Sequence, residues 1–281
     1  MTRFIVLMLS AGFLFSCHQQ PAHNNQRVDV TGDWIGPIDT LTHRNSQTPY
    51  LSFEGSICSG SLPDTFMYHM QNDTLYLRAL TGNKTGETIP FGIRQLTPDS
   101  LTLLAAKHID YIPDTMVLSK VKAKNNITPS AIYFASSGCF GSCPIVSVEI
   151  DSSLNILLYG TLTFPDAEKG YKGVITRTDY NALVDKIKML PLQTLQPAYR
   201  APWTDDQTLA LALQARDSVI SSAAYGHYKE PMELYLLFNK LISVCRNARL
   251  HPDSTVNAHY FETHPAKSPI NEVLTLPYTK R

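Results

Sequence analysis

Two cysteines, Cys139 and Cys143, lie four positions apart in the segment SSGCFGSCPIVSVEI, which covers residues 136–150. Such a pair can form a disulfide, ligate a metal ion or exchange electrons. Redox and copper-delivery sites place their cysteines at a helix N-terminus, where the helix dipole stabilises the thiolate. After Pro144 the apolar residues alternate with period two, which predicts a strand instead. A zinc ion needs four ligands, and this pair supplies half of them.

A disulfide is therefore the favoured prediction, while reduced thiols, a metal site and redox chemistry stay open as alternatives. Gly138 and Gly141 are expected to adopt positive φ and to let the short spacer fold tightly. Of the other cysteines, Cys58 is expected in a Gly/Ser loop and Cys245 on the apolar stripe of a predicted helix. A Cys58–Cys245 bridge is among the pairings that four cysteines allow, and the sequence does not decide it.

Two neighbouring aspartates, Asp205 and Asp206, follow Trp203 after one threonine. A carboxylate pair can act in acid–base catalysis or hold a cation. The same pattern is more typical of a turn that leads into a strand, and we favour that interpretation. These three residues are kept as candidate binding residues. The S-x-x-K match at 119–122 lies in a strand-like run without its companion motifs and is treated as chance. The G-x-S-x-G, H-E-x-x-H and nucleotide-binding glycine motifs do not occur, so we predict no catalytic residue, metal or cofactor.

The N-terminus carries one arginine and then an unbroken apolar stretch over residues 4–15. This pattern is typical of a secretory signal, and the stretch is too short for a permanent membrane span. The residues LFSC at 14–17 resemble a bacterial lipobox, which implies cleavage before Cys17 and acylation of that cysteine. We therefore expect a signal peptide over 1–16 and a polar tether over 17–29.

These features together resemble Bacteroidetes-like lipoproteins. The tether lacks the acidic cluster that accompanies export to the outer face in such proteins, so we expect a lipid anchor in the outer membrane that faces the periplasm. That compartment is oxidising, which favours the disulfide. The chain has 24 Lys and Arg residues against 24 Asp and Glu residues, for zero formal net charge. With no basic field for phosphates, we do not expect a nucleic-acid partner.

Residues 30–121 show short strand-like runs between turn residues and no segment with helical period. The turn sequences ND at 72–73 and TPDS at 97–100 mark two hairpins. This predicts an all-β antiparallel meander or barrel. The opening GDW at 32–34 resembles the small lipocalin-like domains of bacterial lipoproteins. Trp34 is expected to close one end of the barrel, with contact to a ligand as the alternative.

A polar segment at 122–130 is interpreted as a linker, and it precedes a second predicted domain over 131–250. Strand-like runs and two helices, one with Thr178 as its N-cap and one that starts at Pro231, predict an α+β domain. Its sheet is expected to be antiparallel, with both helices on one face. The tail at 251–281 shows little pattern and is expected to be loosely attached.

The segment CFGSCP at 139–144 and the WTDD at 203–206 resemble an uncharacterised family of bacterial lipoprotein domains of unknown function. The resemblance covers about residues 129–248 and implies a fold but no activity. We therefore expect a two-domain protein, anchored to a membrane through Cys17, that binds a small ligand or an envelope protein without catalysis. The alternative is a periplasmic thiol-redox or copper-handling protein that acts through Cys139 and Cys143.

Overall fold

The computed structural model describes residues 29–37, 48–62, 64–82, 85–108, 113–163, 166–263 and 265. The expected signal peptide, Cys17 and all but the last residue of the expected tether lie outside these ranges. None of the helices in the described part is long and apolar enough to cross a membrane. Along the chain, a closed barrel is followed by an open sheet with two helices.

The N-terminal region is a barrel of eight antiparallel strands, in which each strand pairs with the next and β8 closes onto β1. The predicted antiparallel barrel is confirmed; its likeness to lipocalin-like domains stays a prediction. The strands are β1 (Gly32–Ile35), β2 (Tyr50–Glu54), β3 (Ile57–Gly60), β4 (Phe66–Gln71), β5 (Thr74–Ala79), β6 (Thr88–Leu96), β7 (Ser100–Ala105) and β8 (Thr115–Lys120).

Large side chains fill the interior of this barrel. Trp34, Phe53, Phe66 and Phe91 are all fully buried in this core. An eight-stranded barrel is just wide enough for side chains to fill it in this way. The Trp34 indole nitrogen donates a hydrogen bond to the carbonyl oxygen of Val30 at 2.6 Å. Trp34 is thus a core residue with no surface that could contact a ligand from outside.

The C-terminal region is one sheet of eight strands in the order β13-β15-β14-β9-β10-β11-β12-β16. We predicted an antiparallel sheet, but it is mixed, because β13 runs parallel to β15. With three residues, β13 is too short to show a strand pattern in the sequence. The elements are β9 (Ala131–Ser136), β10 (Ile145–Asp151), β11 (Asn155–Thr161), β12 (Lys169–Val174), α1 (Arg177–Met189), β13 (Ala198–Arg200), β14 (Thr208–Ala215), β15 (Ser218–Tyr225), α2 (Met232–Asn247) and β16 (Arg249–Pro252).

Both helices pack on one face of this sheet, as predicted. Ile132 and Phe134 on β9 belong to the same buried cluster as Leu183 on α1 and Phe238 on α2. The rings of Phe134 and Phe238 lie 6.2 Å apart between centroids. The four residues of the predicted stripe on α2 are all fully buried: Leu234, Phe238, Leu241 and Cys245.

Helix α1 begins two residues earlier than predicted. Thr176, not Thr178, is its N-cap, and the Thr176 hydroxyl oxygen accepts a hydrogen bond from the Asp179 backbone N–H at 3.0 Å. The same hydroxyl donates to the Asp179 carboxylate at 2.8 Å. This reciprocal pair of hydrogen bonds needs an acidic residue three positions after the N-cap. Thr176 is followed by Asp179 at that position, whereas Thr178 is followed by Asn181.

The first part of the tail is attached, contrary to the expectation for 251–281. Strand β16 extends to residue 252 and pairs with β12. Beyond it, Val256 and Phe261 are buried. The carboxylate of Asp253 lies 3.1 Å from the Lys172 ammonium group on β12. Two apolar residues in a polar segment form no periodic pattern, so this attachment could not be predicted from the sequence.

The barrel and the sheet region are in direct contact through α1 and α2. The ring of Tyr50 on β2 lies edge-on to Tyr235 on α2, with 5.8 Å between centroids. The Lys240 ammonium group on α2 donates to the carboxylate of Glu54 on β2 at 2.7 Å. A small apolar cluster spans the contact and includes Ile35, Tyr50, Val121, Met232, Tyr235 and Leu236. The two cores are therefore joined by a third, and their independence as domains stays a prediction.

The expected linker, 122–130, has no regular structure but lies against the C-terminal end of α1. The Asn125 backbone N–H donates to the Lys188 carbonyl at 3.0 Å. Its side-chain amide donates to the carbonyls of Ile187 and Leu190, both at 2.9 Å. The last carbonyls of a helix have no partners within the helix, so this segment supplies them.

Candidate functional site

The predicted disulfide between Cys139 and Cys143 is present, with 5.7 Å between the two Cα atoms. It closes the segment that connects β9 to β10, here called the disulfide loop (residues 137–144). At the base of the loop, the Ser136 hydroxyl donates to the Pro144 carbonyl at 2.8 Å. The loop is therefore fixed at two levels, by a covalent bond near its tip and by a hydrogen bond at its base.

The prediction of positive φ holds for one of the two glycines of the loop. Gly141 has positive φ, at 158°, and its N–H donates a hydrogen bond to the Cys139 carbonyl at 2.9 Å. Gly138 does not have positive φ, so the prediction is wrong there. A Cβ atom at Gly138 would lie 3.2 Å from the Ile145 side chain, so the missing side chain leaves room for close packing.

A second segment docks against the disulfide loop: the Trp203 loop (residues 201–207), which leads into β14. The Phe140 backbone N–H donates to the Asp205 carbonyl at 3.1 Å. At the base, Ser137 and Thr208 exchange two hydrogen bonds, each of 2.9 Å. The structure thus brings together the two sequence motifs, although about 60 residues separate them in the chain.

Gln207 holds the two loops together, and sequence reasoning missed it. Its side-chain amide donates to the Ser137 carbonyl at 3.0 Å and to the Pro144 carbonyl at 2.8 Å. Gln207 is buried, and its amide gives the Pro144 carbonyl a second donor besides the Ser136 hydroxyl. Nothing in the sequence around Gln207 distinguishes it from a surface glutamine, except that it follows the WTDD segment directly.

The two motif loops and both helices fall within one family match. Residues 130–245 match the family model of a domain of unknown function, DUF6438. The match covers β9 to most of α2 and leaves out the barrel and β16. No curated protein and no solved structure matches the chain. The expected domain of unknown function is confirmed for this region, and the family brings no activity with it. That the domain belongs to a bacterial lipoprotein stays a prediction.

Within the DUF6438 region, the two aspartates of the Trp203 loop have separate tasks. The Asp206 carboxylate accepts a hydrogen bond from the Trp203 indole nitrogen at 3.0 Å. The Asp205 carboxylate accepts one from the Thr204 hydroxyl at 3.1 Å. Among the residues described by the structure, no group of three or more His, Cys, Asp or Glu is placed to hold a metal ion. The geometry favours the interpretation of this segment as a turn.

Trp203 itself is positioned by its neighbours. Its ring lies edge-on to Tyr228, with 5.3 Å between centroids. Gly226 has φ of 73°, and a Cβ atom there would lie 2.8 Å from the Trp203 indole nitrogen. Glycine is therefore required at 226 both for the backbone conformation and for the approach of Trp203. The indole therefore stabilises the Trp203 loop through its contacts with Tyr228 and Asp206.

The feature that stands out on the surface is Phe140, at the tip of the disulfide loop. Its side chain is 92% exposed, the highest value among the large exposed apolar residues of the described part. A shallow cavity of about 460 Å³ lies beside it and is lined by the loop and by Ile145. The sequence showed the cysteines but gave no sign that the residue between them would carry the exposed surface.

The remaining cysteines of the described part are free and buried. Cys58 belongs to the barrel core and Cys245 to the core beneath the DUF6438 sheet, so the Cys58–Cys245 bridge does not form. Cys58 lies on β3 and not in a loop, which corrects the interpretation of its surroundings. Burial raises the pKa of each thiol to about 12. Both are therefore protonated and unreactive near neutral pH.

Proposed function

We propose that this chain is a lipid-anchored protein of the cell envelope that binds another envelope protein without catalysis, and that the disulfide loop is its contact surface. The observation that carries this proposal is the exposure of Phe140 on a loop that is already fixed. An exposed phenylalanine gains about 1.5–3 kcal/mol when it is fully buried. Aromatic anchors of this kind dominate many protein interfaces.

The fixation of the loop favours binding for a separate reason. Ordering a flexible loop at an interface costs free energy that reduces the affinity. Here the disulfide and the hydrogen bonds of Gln207 order the loop before any partner arrives. The barrel gives less support to the other form of the proposal, a small ligand held inside it, because large buried side chains occupy its core.

The redox or copper-handling alternative has no specific observation in its favour. The disulfide lies in the loop between two strands and not at a helix N-terminus. Its cysteines therefore lack the helix dipole that stabilises a thiolate. Titration of free thiols in the native protein separates the two functions. A disulfide that persists in mild reductant supports the binding protein, and a pair that cycles readily or takes up one Cu(I) supports the alternative.

The anchor is tested by the Cys17→Ala variant. If Cys17 carries the lipid, the variant stays unprocessed or moves to the soluble fraction, and it no longer incorporates labelled palmitate. Continued labelling of the variant overturns the anchor. The support for this part of the proposal is the resemblance of residues 14–17 to a lipobox.

The contact surface is tested by photocrosslinking in intact cells, with a benzoylphenylalanine placed at position 140. The matched control carries the same group in place of Val117 on β8, which is also exposed. We expect a discrete adduct from position 140 that the control does not give. An excess of the untagged, unaltered chain should abolish this adduct, and an excess of untagged Phe140→Ser protein should not. Identical adduct patterns from the two positions contradict the proposed contact.

A further inference from the structure

A second region with binding features lies on the face of the sheet opposite the two helices. Side chains alternate between the faces of a strand, and Ile150 and Ile156 point into the buried core. Their neighbours therefore point to the other face. The register places one row of four residues across neighbouring strands on that face: Glu149, Leu157, Lys172 and His251.

The next row on this face consists of Asn155, Val174 and Arg249, paired across β11, β12 and β16. Together the two rows line a cavity of about 530 Å³. This volume is within the range of sites for small molecules, about 300–1,000 Å³. Leu157 and Val174 give the cavity an apolar floor, and Val174 is 46% exposed.

The acidic groups around the cavity already have partners. Asp151 accepts hydrogen bonds from the backbone N–H groups of Ser153 and Asn155, at 2.8 and 3.0 Å. Glu149 accepts one from the Tyr260 hydroxyl at 3.0 Å. These carboxylates hold the turn after β10 and the start of the tail in place.

The basic groups are different. Lys172 is bound to Asp253 at 3.1 Å and to the Thr255 hydroxyl at 3.0 Å. Arg249 and His251, by contrast, are exposed, and their side chains form no hydrogen bond or ion pair with any residue of the described part. The cavity therefore presents uncommitted donors beside an exposed apolar floor.

We propose that this cavity binds a small carboxylate with an apolar body. The carboxylate is placed against the Arg249 guanidinium, which can donate two parallel hydrogen bonds, with the His251 ring as a further donor. The apolar body covers Leu157 and Val174. A dianion is disfavoured, because Glu149 and Asp151 lie in the same cavity and repel the second charge.

This site is separate from the proposed partner contact. Strand β10 begins directly after the disulfide loop, and Glu149 and Asp151 lie at its other end. A result at one site therefore leaves the other proposal standing.

The test is isothermal titration calorimetry of the purified chain with octanoate. We expect measurable binding that weakens about tenfold or more in Arg249→Gln, the loss for one hydrogen-bonded charge pair. Val174→Asp, which places a negative charge on the exposed floor, should abolish binding. Arg246→Gln is the matched control, because Arg246 is an exposed arginine on α2, and it should bind octanoate as the unaltered chain does.

Three further probes check the chemistry: 1-octanol, octylammonium and octyl phosphate. Each should bind more weakly than octanoate. If octanol binds as tightly as octanoate, the negative charge of the ligand plays no role and the proposal is overturned. If octylammonium binds more tightly than octanoate, the site prefers a cation and the proposal is overturned as well. Absence of octanoate binding, or equal binding by Arg249→Gln and Arg246→Gln, overturns the site itself.

Discussion

The Lys186 ammonium group on α1 lies 2.8 Å from both carboxylate oxygens of Asp33 on β1. The two side chains are only 8% and 4% exposed. They are 153 residues apart in the sequence, and they connect the barrel to the sheet region. Ser52 and Glu54 on β2 surround the same ammonium group at 3.4 and 3.5 Å. The contact between the two regions therefore contains a charge pair that is almost completely removed from water.

We expect Lys186→Met to lower the free energy of unfolding by about 3–5 kcal/mol, because it leaves the Asp33 carboxylate buried without its partner. Urea unfolding followed by circular dichroism measures the effect. The double variant Asp33→Leu/Lys186→Met should be less destabilised than the single one, since no unpaired charge remains. The matched control is Lys188→Met, whose pair with Asp185 is exposed and should cost less than about 1 kcal/mol. Equal losses for Lys186→Met and Lys188→Met contradict this assignment.

The elements of this fold could be predicted better than their assembly. The turns at 72–73 and 97–100, the strand after Pro144 and the stripe on α2 follow from local patterns, and the structure has them. The buried pair of Asp33 and Lys186 could not be predicted, because each residue taken alone has the composition of a solvent-exposed position. A buried charge becomes recognisable only when its partner is known.

The candidate site divides in the same way. The residue type and the spacing of Cys139 and Cys143 indicated what chemistry they could do. The expected oxidising compartment and the strand pattern after Pro144 together predicted a disulfide. Gln207 and Arg249 carried none, because a glutamine or an arginine is ordinary on a surface. Their significance depends on which backbone carbonyls and which apolar floor the topology places beside them.

The disulfide should contribute little to global stability. Replacing Cys139 and Cys143 together by serine is expected to cost about 1–2 kcal/mol and to keep the fold, because the closed loop is short. Single replacements should form mixed disulfides during purification, since each leaves a thiol that can couple with other proteins. Mass spectrometry of an unreduced digest checks the bond directly. Complete alkylation of both cysteines without reductant, in protein purified from the periplasm, contradicts it.

Cys58 and Cys245 should resist alkylation in the native protein. Burial raises the pKa of both thiols from 9 to about 12, so the thiolate fraction near pH 8 falls on the order of 1,000-fold. Iodoacetamide with intact-mass detection should show no adduct at pH 8 and two adducts when urea is added. If both thiols were alkylated without urea as fast as an exposed cysteine, the two cores would have to unfold locally and frequently, and the prediction would be wrong.

Attachment of the tail should weaken in acid. Hydrogen bonds from the Thr255 hydroxyl and backbone N–H, together with Lys172, lower the pKa of Asp253 from 3.8 to about 2. A group with a lowered pKa stabilises the folded form above its unfolded pKa, and this contribution is lost as the pH falls from about 4 towards 2. Proteolysis with pepsin at residues 253–263 should therefore accelerate over that range.

The variant Asp253→Asn provides the control for this pH effect. It should be cleaved faster than the unaltered chain at pH 4, because the carboxylate is gone. Its cleavage should also show a smaller change between pH 4 and pH 2. An unchanged pH dependence in Asp253→Asn would assign the acid sensitivity to another group.

The position of β16 at the end of the sheet has a consequence for how the protein is made and handled. Among the described residues, β16 is both the end strand of the sheet and the last strand in sequence, so β12 keeps an unpaired edge until residue 252 has left the ribosome. Unpaired edges invite aggregation by strand addition from other molecules. An expression fragment cut at the family boundary, residue 245, would expose the edge of β12 permanently and would also lack the end of α2. The barrel is closed and has no such edge, so we expect a fragment of this kind to aggregate through the open sheet.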